Sequence, residues 1–415
     1  MSKFRRVMCF LLSVAAFACL LPLPGAAQEI ALASEAAVLM DAESGQILYG
    51  KNMDSTMYPA SITKVLTGLL ALKYAKETDK VTMTQAGVSQ VPRTSSHIAL
   101  EPGEAFTMKD ALYALALVSA NDAAVAIAET VSGSVEDFAK LMNEEAEKLG
   151  AYNSHFVNPN GMPNQDHYTT ARDMALITAE ALKQEGFLTY FGAKSYEMPA
   201  TNLSAARPLV SKNQFIDGTF DCPGLLMSKT GWTSSALGTL VTAVKRGDTT
   251  LIAVTLKSPM LEDKYTDTLA LLDYGFANYR RVRLSQKLME RKMVAQGMDE
   301  DCSLEGYTPQ DVLIPQTAGE ADIAVTVPGG FDSSLGVSTV PASVDVKQED
   351  GTWVHVTDLL LTIRDPEAEA LAETEGTEAP VETETKAIHP GAAILLGLAV
   401  VFFLFRCIGK RKATV

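Results

Sequence analysis

The chain has 415 residues, of which 47% are hydrophobic and 20% charged, so it can bury a large core in two or three domains and is neither disordered nor fibrous. Its 35 Lys and Arg stand against 50 Asp and Glu, a formal net charge of -15, which excludes nucleic acid as a partner of the protein as a whole.

Residues 1–27 open with Lys3, Arg5 and Arg6, continue as an apolar run from Val7 to Leu23, and end on Gly25, Ala26 and Ala27. This order predicts a secretory signal peptide cleaved after Ala27. Of the five cysteines, Cys222 and Cys302 remain in the exported body, where an oxidising exterior permits a disulfide but nothing in the sequence brings the two together.

Residues 28–280 are expected to form one domain. Ala36–Met40 and Gln46–Gly50 read as a hairpin closed by a glycine-containing loop. From Pro59, the spacing of Ile62, Val65, Leu66, Leu69 and Leu70 predicts a helix with Ser61, Lys64 and Gly68 on the face away from that stripe. Further helices are predicted at Met108–Leu117, from Asn121 to Ser132, at Val135–Leu149 and from Thr170 to Glu185. The period then changes. Leu237–Lys245 and Thr249–Leu256 are β-branched runs around Arg246-Gly-Asp248, a hairpin. Strands at both ends with helices between them predict an α+β domain whose sheet pairs distant strands.

Residues 281–364 show no long helix, with strands at Ile323–Val327, Ser343–Val346 and Trp353–Ile363, and predict a small β-rich domain. Residues 365–386 hold eight acids and one Lys and read as a linker. Residues 387–406 are apolar apart from His389, Pro390 and the closing Arg406, which predicts a transmembrane helix. The bases Lys410, Arg411 and Lys412 in residues 407–415 keep that tail cytoplasmic, so the body is expected outside a single-pass cell-membrane anchor.

Three short motifs carry chemistry: Ser61-Ile-Thr-Lys64, Ser119-Ala-Asn121 and Lys229-Thr-Gly231. Positions i and i+3 of a helix share a face, so the Lys64 amine can reach the Ser61 hydroxyl. A serine needs a base to take its proton, and an ordinary lysine is protonated at neutral pH, so Lys64 must be depressed by the helix N-terminus and by Lys229 as a second cation. Ser119 is placed to relay a proton to a leaving nitrogen, and Asn121 to hold Lys64 and a substrate backbone. Lys229 and Thr230 can receive a C-terminal carboxylate, with Gly231 leaving space for an extended peptide on the strand edge. Each motif alone is common; three in order are not. The five histidines include no metal-spaced pair, and Glu144 and Glu145 read as an exposed helix face, so neither metal nor cofactor is expected.

Pro59-Ala-Ser-Ile-Thr-Lys64, Val118-Ser-Ala-Asn-Asp-Ala123, Ser154-His-Phe-Val-Asn-Pro-Asn-Gly161 and Ser228-Lys-Thr-Gly-Trp-Thr233 together resemble the low-molecular-mass penicillin-binding D-alanyl-D-alanine carboxypeptidases. The resemblance covers about Ala33 to Tyr279 and implies the β-lactamase/transpeptidase-like fold. It implies Ser61 as acyl-enzyme nucleophile, Lys64 as general base, Ser119 as proton relay and Lys229 as a contact for the substrate carboxylate. It also implies an oxyanion hole from the backbone N–H groups of Ser61 and Trp232, where the family usually carries His or Tyr. Peptidoglycan stem peptides as substrates and β-lactams as covalent inhibitors follow from it. Segment Phe220-Asp-Cys-Pro-Gly-Leu-Leu-Met-Ser228 departs from the family's usual approach to the third motif, and His155 with Asn158–Gly161 read as a structural turn. A β-lactamase or endopeptidase of the same acyl-serine class, and a non-catalytic wall-peptide binding module, are the alternatives; the Glu-x-x-Leu-Asn context of a class A β-lactamase is absent between the second and third motifs.

Overall fold

A computed structural model describes residues 30–328, 337–348, 350–366 and 368. The expected signal peptide, transmembrane helix and cytoplasmic tail, and nearly all of the linker, lie outside the described residues. Among the described residues, no helix is long and apolar enough to cross a membrane.

The first hairpin forms as expected, with β1 at Ala36–Asp41 and β2 at Ile47–Lys51. A 3-10 turn, Ala60–Thr63, runs straight into α1, Lys64–Tyr74, so Ser61 sits on the tight turn ahead of the α-helix. Val65 to Ala71 are all buried, and Gly68 lies under the ring of Phe191, which an added Cβ would approach to 2.5 Å. From Lys64 to Ala71 the helix is buried all round, so the face carrying Lys64 and Gly68 packs inward as well as the Val65/Leu69 stripe, while Ser61 and Lys64 come together as expected. Helices α2 (Met108–Leu117), α3 (Asn121–Ser132), α4 (Val135–Lys148) and α5 (Ala171–Lys183) follow within about two residues of the predicted ends. Side chains cap α2, α4 and α5: Thr107, Ser134 and Thr170 each accept a backbone N–H from the first turn. Glu145 on α4 is buried and paired with Lys73 at 2.5 Å, not exposed as its sequence context suggests.

Strands β3 (Leu225–Thr233), β4 (Leu237–Arg246) and β5 (Thr249–Ser258) complete an antiparallel five-stranded sheet in the order β2-β1-β5-β4-β3. Alternation along β1 serves two cores at once, Val38 and Met40 facing the helical lobe while Ala37 and Leu39 face the other side. That other side is covered by α6, Asp263–Asn278, a helix the sequence reading does not contain. Gly275 lets α6 sit down on the sheet, since a Cβ there would come within 2.6 Å of both Leu39 and Leu251. Sequence-distant β1 and β5 pair at the centre, as the α+β expectation requires.

Between β4 and β5 the register passes from Gly238↔Ser258 to Leu240↔Thr255, and within the resulting bulge Lys257 has φ +56. The left-handed region costs a lysine about 1–2 kcal/mol.

The second domain comprises β6 (Tyr279–Leu284), α7 (Gln286–Val294), β7 (Ser303–Glu305), β8 (Gln310–Pro315), β9 (Ile323–Thr326), β10 (Val337–Lys347) and β11 (Trp353–Arg364). Its four-stranded sheet runs β7-β11-β10-β9, while β6 pairs with β8. Helix α7 is a short element that the sequence reading does not single out in this β-rich domain; Leu288, Met289 and Met293 anchor it on the domain's own core. The two domains are tied by directed contacts. The Gln46 amide donates to Leu313 O (2.7 Å) and accepts from Leu313 N (2.9 Å), and Arg281 bridges Asp41 and Glu43 at 2.9 Å each. Cys222 and Cys302 are both buried free thiols, so the permitted disulfide does not form.

Candidate active site

Ser61, Ser119, Lys229, Thr230, Gly231 and Trp232 line one cleft of about 260 Å3 between the helical lobe and the edge strand β3. Lys64 is fully buried at its floor, and Asn121 lies beside it. Every sequence-predicted site residue therefore reaches the same place.

Lys64 Nζ contacts Ser61 Oγ at 3.0 Å, Asn121 Oδ1 at 2.7 Å and the carbonyl of Asn160 at 2.6 Å. The last two atoms can only accept. A neutral amine there must spend its two N–H groups on them, which aims its lone pair at the Ser61 hydroxyl. Burial, more than any charge, holds Lys64 well below the usual lysine range; the Lys229 cation adds to the effect and Asp122 opposes it. Desolvation therefore leads over the second cation expected from the sequence.

Lys229 donates to Ser119 Oγ and to Thr230 O, both at 2.9 Å. Burial, helped by the nearby Lys264 cation, brings it down to about 7. Lys264, at the start of α6, is a cleft residue that sequence reasoning missed. Burial lowers it as well, and the charge of Glu262 opposes this. The cleft thus gathers two lysines, Lys229 and Lys264, beyond Ser119.

Backbone conformation holds the nucleophile in place. Ala60 and Ser119 have φ of +49 and +58, a left-handed geometry that non-glycine residues adopt at a cost of about 1–2 kcal/mol. Gly161 explains how the first is enforced. A Cβ on Gly161 would stand 1.9 Å from Ala60 O, so the 158–162 turn presses directly on the residue before Ser61. Asn158 Oδ1 shapes that turn by accepting from Gly161 N and Met162 N. Gly231 plays the matching role on the sheet side, where a Cβ would fall 2.7 Å from Ser61 N. Ser61 and Trp232 both line the cleft at this point.

Beneath Thr63, His167 Nδ1 accepts from Val157 N (3.1 Å), which leaves Nε2 to donate to Thr63 Oγ1 (2.9 Å). Thr63 Oγ1 in turn donates to Ala60 O (2.9 Å). Burial depresses His167 to about 3, so it stays neutral and acts as a fixed strut. The 155–167 segment is therefore part of the site, through the Asn160 carbonyl and this chain of bonds, and not only a turn. The available signal was Asn158-Pro-Asn-Gly161 itself, whose Asx geometry and glycine mark a backbone held for a purpose.

The cleft can do the following chemistry: a hydroxyl beside a desolvated amine can attack a carbonyl, two backbone donors can receive the resulting oxyanion, and paired cations can hold a carboxylate on the leaving side.

Comparison with known proteins agrees with this. The family described as D-alanyl-D-alanine carboxypeptidase matches residues 24–260. The chain is similar to D-alanyl-D-alanine carboxypeptidase DacF of Bacillus subtilis, 36% identical over 256 residues, covering 60% of this chain and 64% of the relative. It therefore spans a little under two thirds of that relative's length. It is also similar to D-alanyl-D-alanine carboxypeptidase DacA of Haemophilus influenzae, 30% identical over 289 residues, covering 67% of this chain and 71% of the relative. Among solved structures, the D-alanyl-D-alanine carboxypeptidase of Mycobacterium tuberculosis superposes with a TM-score of 0.56 at 29% identity, over 61% of this chain and 95% of that one. Penicillin binding protein 5 from Haemophilus influenzae, at 24% identity and a TM-score of 0.66, covers 82% of this chain and 99% of its own, a likeness of fold that extends into the second domain.

Proposed function

Because the chain belongs to the D-alanyl-D-alanine carboxypeptidase family, we propose that it removes the terminal D-alanine from peptidoglycan stem pentapeptides through an acyl-enzyme on Ser61. The observation that carries this reading is Lys64 Nζ, buried and 3.0 Å from Ser61 Oγ, with both of its other contacts taken by obligate acceptors.

In this mechanism Ser61 Oγ attacks the carbonyl of the penultimate D-alanine as Lys64 takes its proton. The oxyanion is received by the N–H groups of Ser61 and Trp232. Lys229 uses two donors on Ser119 and Thr230 O; its third N–H, with Thr230 and Lys264, meets the terminal carboxylate. Ser119, already bonded to Lys229, passes a proton to the departing amine and takes in its place the one that Lys64 received from Ser61, which leaves Lys64 neutral again. Water then attacks the ester with Lys64 again as base, and the free D-alanine leaves. β-Lactams enter the same steps and stop at the acyl-enzyme, since their leaving group stays tethered in the path of water.

Purified protein should release D-alanine from a pentapeptide ending D-Ala-D-Ala much faster than it releases D-alaninamide from the C-terminal amide. The loss of a charge-assisted contact predicts a difference of roughly tenfold or more in kcat/KM. Equal rates on acid and amide would reject the carboxypeptidase reading.

The sequence further supports export and a C-terminal anchor, with residues 387–406 spanning the cell membrane and the catalytic domain outside. A chain stopped after Lys386 should appear in the soluble fraction with its activity intact. Continued sedimentation with membranes would show that another part of the protein holds it there.

A further inference from the structure

We infer that a second cavity, past the far end of β3, receives the side chain of the residue preceding the acyl D-alanine, and that it is built for a side chain ending in both an ammonium and a carboxylate. This rests on the carboxypeptidase reading, because that reading sets the direction of the bound peptide. With the terminal carboxylate at Lys229 and the scissile carbonyl beside Ser61 and Trp232, the peptide runs antiparallel to β3. Its earlier residues must leave the cleft past Thr233.

Thr233 pairs with Leu237 across a turn, and Ser235 of that turn lines a cavity of about 330 Å3. Two residues of extended chain span at most ~7 Å, within reach of a side chain of about four carbons. Tyr58, three residues before Ser61, forms another wall, with Gln165 and Tyr168 opposite. The cavity therefore shares both of its supports, the nucleophile turn and the 155–168 segment, with the catalytic cleft.

Glu35 and Lys257 complete the lining, their Oε2 and Nζ 2.6 Å apart, at 51% and 42% side-chain exposure. An ion pair this exposed contributes little to stability. Yet the fold holds Lys257 in left-handed backbone on the β5 bulge, and bulges are a standard way to turn one side chain out of a strand's alternation. Glu35 is held too: Asn52, itself at φ +46, donates its side-chain amide to Glu35 O at 2.8 Å. Lys257, in strained backbone, and Glu35, anchored through its backbone carbonyl, thus present one positive and one negative group to the same cavity. A ligand side chain with an ammonium and a carboxylate can take both, ammonium to Glu35 and carboxylate to Lys257. One with an ammonium alone leaves Lys257 without an anion from the ligand.

The test uses two otherwise identical pentapeptides whose third residue is meso-diaminopimelate or lysine. The diaminopimelate peptide should be preferred by about tenfold in kcat/KM, the scale of one charge-assisted contact. In Lys257→Ala that preference should shrink to less than about threefold, whereas a variant that is merely destabilised would lose rate on both peptides and keep the ratio. Penicillin acylation of Lys257→Ala, which needs no third-residue side chain, reports that the catalytic cleft has kept its shape. The ratio of calorimetric affinities of Ser61→Ala for the two uncleaved peptides should show the same preference. A ratio near one in the parent protein, or a ratio unmoved by Lys257→Ala, overturns the subsite. A protein that releases no D-alanine from either peptide but keeps the binding preference in Ser61→Ala would sink the carboxypeptidase reading and leave the subsite standing.

Discussion

Ser61→Ala is expected to abolish covalent labelling by penicillin and to lower D-alanine release by at least about 10⁴-fold, the scale on which a serine nucleophile's removal is felt. The fold should survive. Ser61 is only part-buried and its hydroxyl meets the protein through Lys64 alone among the described hydrogen bonds, while the 3-10 turn is held by Thr63, His167 and the Gly161 backbone instead. Intact-protein mass after antibiotic exposure, beside a thermal melt, gives both answers. An adduct persisting in the alanine variant would move the nucleophile elsewhere.

Lys64→Met should retain Ser61 but slow its acylation by about 10²- to 10⁴-fold, the usual contribution of a general base. Here the pH profile is more diagnostic than the magnitude. Catalysis needs Lys64 neutral, so kcat/KM should rise on the acid side as that amine, held low by burial, gives up its proton. It needs Lys229 charged to hold a carboxylate, so kcat/KM should fall as pH climbs past about 7, where Lys229 becomes neutral. The two limbs make a bell for the free peptide. Lys64→Met should erase the acid limb and leave the alkaline one, and the C-terminal amide should lack the alkaline limb in the parent protein. An acid limb that survives in Lys64→Met would assign the base to another group.

What could be read in the sequence was whatever acts through a local pattern. Ser61 and Lys64 announce each other because they are three residues apart on a turn entering a helix, and Lys229-Thr-Gly231 because a glycine at a strand edge leaves room for a peptide. The Asn160 carbonyl was hidden since any residue supplies one, and His167 because it works two bonds away from Ser61. Lys264 was hidden for a different reason: it comes from the far side of the sheet, and only the pairing of β3 with β4 and the seating of α6 bring it next to Lys229. Helix α6 itself escaped because Leu269-Ala-Leu-Leu272 is apolar without a break, and a continuous run blurs helical period. Glu145 misled in the opposite direction. Its acidic neighbours suggest a solvated face, but Lys73 from α1 comes back through the tertiary fold to neutralise it.

Strand β3 lies at the border of its sheet, and the half of its backbone turned toward the cleft has no neighbouring strand. Such a border is a template for any extended chain, including the matching strand of another copy, and is a common route to aggregation. The protein keeps it usable without leaving it open. The Ala60–Thr63 turn stands so near that Gly231 has no room for a methyl group, which would lie 2.7 Å from Ser61 N. One slender peptide fits in the remaining slot, whereas a second sheet would bring further strands at ~4.8 Å intervals and strike the helical lobe. The wall that positions the nucleophile thus also acts as a guard against self-association, admitting single chains and turning away folded ones.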